Sequence, residues 1–69
     1  MKKFMFFKDV QNNVWLVNVD HIVCIEQHNG NAKSTITLSE GRTLWMAEYV
    51  GEVYEMIRKH FEEYETDNN

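Results

Sequence analysis

Three residues with metal-ligating side chains, His21, Cys24 and His28, lie close together in the chain. Imidazole and thiolate ligands are typical of zinc sites, so this H-x2-C-x3-H string is the first candidate for chemistry. On an extended strand, however, positions 21 and 24 point to opposite faces and cannot converge locally on one ion. His60 would have to supply a ligand from a distant segment. The spacing therefore predicts no metal site.

Covalent catalysis is the second chemistry to consider. A nucleophile needs an adjacent base and an orienting group, but Cys24 lies inside an apolar run, where a cysteine usually behaves as a small buried hydrophobe. Gly30, Gly41 and Gly51 are isolated, so no glycine-rich phosphate loop exists. Gly51 falls in a predicted helix, where we expect it to permit close helix–sheet contact. The sequence predicts no catalytic residues and no cofactor, so we expect a protein that is not an enzyme.

Size and composition predict one small domain. The chain has 69 residues, of which 43% are hydrophobic and 13% aromatic. We expect a single domain over residues 1–64 and a frayed tail over residues 65–69. A domain this short has a thin core and commonly recruits a disulfide, a metal or a partner. One cysteine excludes an internal disulfide and, without a secretory signal or a long apolar run, indicates a soluble, cytoplasmic protein with no membrane insertion.

The charge is distributed unevenly along the chain. Residues 1–46 carry five basic and four acidic side chains, whereas residues 47–69 carry two basic and seven acidic ones. A phosphate backbone would be repelled by the acidic segment. Nucleic-acid binding is therefore disfavoured. It remains open for the first segment, where Lys3, Lys8, Lys33 and Arg42 could line a site.

Alternating apolar residues and turn signals predict five strands. The turn signals are the cluster at residues 9–13, the Asn29-Gly30 dipeptide and Glu40-Gly41. The strands are predicted at residues 3–8, 14–17, 22–27, 34–38 and 42–46.

After Met46 the apolar period becomes helical, with an apolar stripe at Val50, Val53, Tyr54, Ile57, Phe61 and Tyr64. Strands first and a helix last indicate an α+β fold, in which one antiparallel sheet of about five strands carries a C-terminal amphipathic helix on one face.

One helix covers only one face of such a sheet. If Phe4, Phe6, Trp15 and Val17 face the helix, the strand period sends their neighbours outward. The predicted outer face then contains Phe7, Val14, Leu16 and Trp45. An apolar outer face usually marks an interaction surface, so we expect these four residues to bind a partner protein or a second copy of the chain. The alternative is that loops or termini cover them, or that the assignment of faces is shifted by one residue.

Three segments carry a resemblance to a known family. Leu16–Glu26 looks like the "lN-x-D-x-I-x-x-I-E" core of the FlbD-type flagellar and swarming-motility proteins. Thr35–Gly41 resembles that family's "T-x-I-T-L-x-x-G" segment, offset by one residue at the first threonine. Glu48–Ile57 is similar to its "E-S-V-E-E-V-x-x-x-I" helix. The resemblance covers residues 14–60, departs from the family at the 28–34 hairpin, and implies a cytoplasmic motility accessory protein that acts through protein contacts.

The order of strands, "I-x-x-I-E" motif, hairpin and helix also resembles the first part of the LytTR-type DNA-binding domain. This chain has no basic "R-I-H-R-S" strand after its helix. Two functional hypotheses follow. The first is a protein–protein interaction module, for which the outer face could serve as a homodimer contact. The alternative is a nucleic-acid-binding transcriptional regulator with a LytTR-like sheet.

Overall fold

The structure is a computed structural model that describes residues 3–67, with the side chains described as far as residue 63. Within this range the chain forms five strands, a short 3-10 helix at Val19–His21 and one α-helix. These are β1 (Phe4–Lys8), β2 (Val14–Asn18), β3 (Ile22–Gln27), β4 (Ser34–Leu38), β5 (Thr43–Met46) and α1 (Val50–Asp67). The predicted α+β class, with antiparallel strands followed by a C-terminal helix, is confirmed.

The strands form two sheets, so the prediction of one continuous sheet is wrong. The first sheet is the β1–β2 hairpin, and the second has the order β3-β4-β5. They meet at a single antiparallel bridge between Asp9 and Met46, beside which the Val10 amide donates to the Trp45 carbonyl at 2.8 Å. The chain enters a turn at residues 9–13 immediately after this bridge.

A hydrogen-bonded turn at residues 9–13 closes the hairpin. The Asp9 Oδ1 atom accepts hydrogen bonds from the backbone amides of Gln11 and Asn13, both at 2.9 Å. Asn12 adopts a left-handed conformation with φ of 66°, which asparagine tolerates better than most residues. The turn cluster in the sequence therefore fixes the register of β1 against β2.

The core lies between the inner face of the hairpin, the inner face of the three-stranded sheet and the helix. Its buried hydrophobic residues are Met5, Phe7, Val17, Ile36, Leu38, Leu44, Met46 and Val53. Trp15, Val19, Ile22, Ile25, Met56 and Ile57 are partly buried against them. The helix thus packs on the sheets through Val53, Met56 and Ile57, whereas Tyr54 of the predicted apolar stripe is exposed.

Local polar contacts hold the helix in place. Its first turn is stabilised by Glu52, whose Oε1 accepts the Tyr49 backbone amide at 2.8 Å. The buried Ser34 hydroxyl donates to the Glu48 carbonyl at 2.6 Å and ties β4 to the start of α1. The helix continues to Asp67, past the predicted start of a tail at residue 65, and residues 68 and 69 lie outside the described residues.

Candidate interaction surface

Phe7 does not belong to the outer surface. Its side chain is 1% exposed, whereas that of the neighbouring Phe6 is 68% exposed. In the hairpin register Phe7 faces Trp15 and Met5 faces Val17, and all four contribute to the core. The prediction for β1 was therefore wrong by one residue. Residues 4–7 are all apolar, so no alternation of polar and apolar side chains shows which face of the strand is buried.

The other side of the hairpin forms an exposed apolar surface, which we call the hairpin face. Cross-strand pairing sets its members in three rows: Phe4 opposite Asn18, Phe6 opposite Leu16, and Lys8 opposite Val14. Val14 is 64% exposed and Leu16 is 53% exposed, as the sequence analysis predicted. Such paired side chains project on the same side of a sheet, so the apolar residues form one continuous patch.

A groove borders the hairpin face where β1 approaches the second half of the helix. It has a volume of about 350 Å³ and is lined by Phe4, Met5, Phe6, Met56, His60 and Glu63. Four apolar side chains of this lining are combined with the polar His60 and Glu63. The aromatic side of the hairpin face therefore ends at an acidic helix segment, while its opposite end carries Lys8.

Trp45 is also exposed, at 46% of its side chain, but it lies on the three-stranded sheet. It faces Thr35 of β4, and the His28 ring meets it edge-on, with 4.9 Å between ring centroids. The backbone hydrogen bond from Val10 to Trp45 is where the two sheets meet. The structure therefore divides the predicted outer face between two sheets and puts Trp45 in a more polar setting than Val14 or Leu16.

The residues of the H-x2-C-x3-H string do not form a metal site. His21 Nδ1 lies 2.8 Å from the Ser39 hydroxyl, and His28 contacts Trp45. Within the described part of the chain, no three His, Cys, Asp or Glu side chains are grouped so that they could hold a metal ion. Cys24 is exposed, which contradicts its prediction as a buried residue. A register irregularity between Ile22 and Cys24 accounts for the change of face.

Most basic side chains of the sheet half are already engaged. Lys3 pairs with Asp20 at 3.0 Å, and Arg42 approaches Glu40 at 3.7 Å. The Lys33 ammonium lies 4.7 Å from the centre of the Tyr49 ring. Three of the four proposed nucleic-acid ligands therefore have contacts within the chain.

Two ion pairs, both made by Arg58, lie on the described surface of the helix. Arg58 contacts Glu55 at 2.8 Å and Glu62 at 2.6 Å. The guanidinium of Arg58 lowers the pKa of Glu55 below its usual value, and the two carboxylates raise the pKa of Arg58.

No helix in residues 3–67 is long and apolar enough to cross a membrane.

Phe4 and Phe6 are the surface residues that the sequence analysis missed. The flanking lysines offered a signal for the phase of β1, since lysines are seldom buried. That signal is contradictory, because Lys8 shares its face with Phe4 and Phe6 while Lys3 has the parity of Met5 and Phe7.

Comparison of the chain with models of protein families, with curated proteins and with solved structures finds no match in any of the three.

Proposed function

We propose that this chain is a small non-enzymatic protein–protein interaction module and that it binds through the hairpin face. The observation that carries the proposal is the row formed by Phe6 and Leu16, flanked by Val14, with each of the three side chains more than half exposed. Contiguous apolar surface of this kind on a small domain usually marks a site of association. The partner is a second copy of the chain or another protein.

The size of the patch limits how tightly it binds. Completing the burial of three such side chains recovers roughly 1–2 kcal/mol each, because full burial is worth about 1.5–3 kcal/mol. That sum of about 3–6 kcal/mol only approaches the estimated cost of association, about 4–15 kcal/mol. The complex therefore needs further contacts, and the groove beside Phe4 and Phe6 adjoins the hairpin face and can supply them.

For the cellular role we propose an accessory function in flagellar or swarming motility, exercised in the cytoplasm. The resemblance of Leu16–Glu26, Thr35–Gly41 and Glu48–Ile57 to the FlbD-type proteins supports the process. An exposed, unpaired Cys24 is typical of a reducing compartment and supports the location. In this role the hairpin face is the contact surface and no catalytic group is required.

The nucleic-acid-binding alternative is less favoured. A backbone-binding site needs several basic side chains free to displace counterions, and Lys3, Lys33 and Arg42 have contacts of their own. The described helix adds four acidic residues between 52 and 63 against two basic ones. Titration of labelled single- and double-stranded DNA at low salt tests this alternative directly, and we expect no binding.

A matched pair of valine substitutions tests the interaction surface. Val14 on the hairpin face and Val23 on β3 are 64% and 66% exposed, so Val14→Glu and Val23→Glu make the same change at equal exposure. Tagged wild-type and variant proteins serve as baits in a lysate of the native host, with nuclease added. We expect a set of proteins, or untagged copies of the chain, to be recovered with the wild type and with V23E but not with V14E.

Other outcomes of this experiment would redirect the assignment. Equal recovery by V14E would remove the hairpin face as the contact surface. Recovery that disappears when nuclease is added would favour the nucleic-acid-binding regulator. Circular dichroism of each bait before use ensures that a loss of binding is not a loss of fold.

A further inference from the structure

We infer that the occupant of the hairpin face is a second copy of this chain, docked about a two-fold axis that passes between the two Phe6 side chains. This inference rests on the function proposed above and specifies the partner. In this dimer Lys8 of one copy contacts Glu63 of the other, and symmetry makes the contact twice.

The three rows of the hairpin face fix where the axis must lie. Phe6 and Leu16 form the middle row, with Phe4 and Lys8 one row to either side along β1. Alternate residues of a strand are about 7 Å apart, so Phe4 and Lys8 are roughly equidistant from Phe6. A two-fold axis across the strands at the middle row brings each β1 antiparallel over its counterpart. Lys8 of one copy then lies over Phe4 of the other.

The charges on this surface complement each other in that arrangement. Glu63 lines the groove together with Phe4 and Phe6, at the end of the face opposite Lys8. Both side chains are exposed, and among the described residues neither has an ion-pair partner within its own chain. Two-fold symmetry repeats every contact, with residue i meeting j and j meeting i. Lys8 therefore meets Glu63 at both ends of the interface.

The distribution of net charge favours this face over the surface of the helix. The chain has a net charge of −4, and its acidic excess lies in residues 47–69. Two copies that associated through their helices would bring the excess charges together. Docking through the hairpins joins the nearly neutral halves, and the Glu63 carboxylate that it brings close meets a lysine.

The interface is small, which sets the concentration at which it forms. A standard interface buries about 800 Å² on each partner, which is roughly a sixth of the 4917 Å² accessible surface of this chain. A five-residue hairpin is only about 17 Å long and falls short of that area. We therefore expect reversible association in the micromolar range rather than a permanent dimer.

Sedimentation velocity of the purified chain, with reductant, between about 1 μM and 500 μM tests the inference. The mass is expected to rise with concentration from 8.3 kDa towards twice that value. Lys8→Glu and Glu63→Lys each create two like-charge contacts, so each variant alone is expected to associate about tenfold more weakly. Lys59→Glu makes the same charge change elsewhere on the helix and is expected to associate like the wild type.

Mixing the two weakened variants gives the sharpest result. When one copy carries K8E and the other carries E63K, two carboxylates of the first copy face two ammonium groups of the second, so both contacts become attractive again. An equimolar mixture of K8E and E63K is therefore expected to regain the affinity of the wild type to within about threefold, since both pairs are restored.

Three results would overturn the inference. These are a mass that stays at 8.3 kDa over the whole range, a mixture that associates no better than either variant, and a K59E chain as weak as K8E. If association fails in any of these ways while V14E still loses a captured protein, the proposed function stands with a different partner. If V14E changes neither capture nor association, the proposed function fails as well.

Discussion

The carboxylate of Asp9 accepts a hydrogen bond from the indole Nε1–H of Trp15 at 2.9 Å, across the turn that closes the hairpin. The same side chain accepts the amides of Gln11 and Asn13. One aspartate thus shapes the turn and orients Trp15 towards the core. Because β1 and β2 present the hairpin face on their other side, Asp9 also positions the proposed interaction surface.

Hydrogen bonds lower the pKa of Asp9 below its ordinary value of 3.8. The bond from the Trp15 indole has the largest effect, and the bonds from the turn amides add to it. A lowered folded-state pKa stabilises the fold above the unfolded-state pKa, and this contribution is lost as the pH falls through the folded value. We expect Asp9→Asn to lower the urea midpoint at neutral pH. The difference in urea midpoint between Asp9→Asn and wild type should narrow below about pH 4, the pKa of aspartate in an unfolded chain. An equal difference at neutral pH and about pH 2, well below that value, would contradict this role.

Adjacent phenylalanines provide a direct test of the β1 register. Phe7→Ala removes a fully buried ring and is expected to cost about 3–5 kcal/mol of unfolding free energy. Phe6→Ala removes an exposed ring and should stay within about 0.5 kcal/mol of wild type. Urea unfolding followed by far-ultraviolet circular dichroism gives both values. The reverse order would mean that β1 presents its other face to the core.

Gly41 and Gly51 are expected to respond to alanine in opposite directions. Gly41 has a φ of 98°, where a side chain is strained, so Gly41→Ala should cost about 1 kcal/mol. Gly51 is helical, and a Cβ there meets nothing within 4 Å. The close helix–sheet contact predicted for it is absent, so Gly51→Ala should stabilise the chain by about 0.5–1 kcal/mol. Thermal melts of the two variants rank them, and a destabilised G51A would indicate a contact on that side of the helix.

The start of the helix depends on Glu52. Its carboxylate accepts the Tyr49 amide, one of the donors that a helix terminus leaves without an intrahelical partner. Glu52→Ala should therefore cost about 0.5–1 kcal/mol, with a smaller loss for Glu52→Gln, which keeps an oxygen acceptor. Hydrogen exchange of the Tyr49 amide measures the local effect. Unchanged protection in E52A would show that this bond does not hold the first turn.

The sequence was sufficient to predict the strands and the helix because their signals are local. Asn29-Gly30 and Glu40-Gly41 mark the turns around β4, and the change of period after Met46 marks the helix. The phase of β1 was not predictable in this way. Because four consecutive residues are apolar, either alternate pair could face the core. Pairing across the hairpin with Trp15 and Val17 puts Met5 and Phe7 there.

The division into two sheets and the exposure of Cys24 depend on non-local geometry. A single bridge from Asp9 to Met46 joins segments far apart in the chain, and no local pattern signals it. The irregularity between Ile22 and Cys24 likewise changes which side chains face water without changing the composition of β3. For the candidate surface, the sequence predicted the exposure of Val14, Leu16 and Trp45, and three-dimensional pairing replaced Phe7 with Phe6.

The outward position of Cys24 gives the chain a natural attachment point for a spectroscopic probe. It is the only thiol in the sequence and lies on β3, in the other sheet from the hairpin face. A maleimide spin label therefore attaches at one known place without any engineered cysteine. In a two-fold assembly the two labels report one distance, and dipolar spectroscopy on the otherwise unaltered protein can compare it with the distance that docking through the hairpins requires.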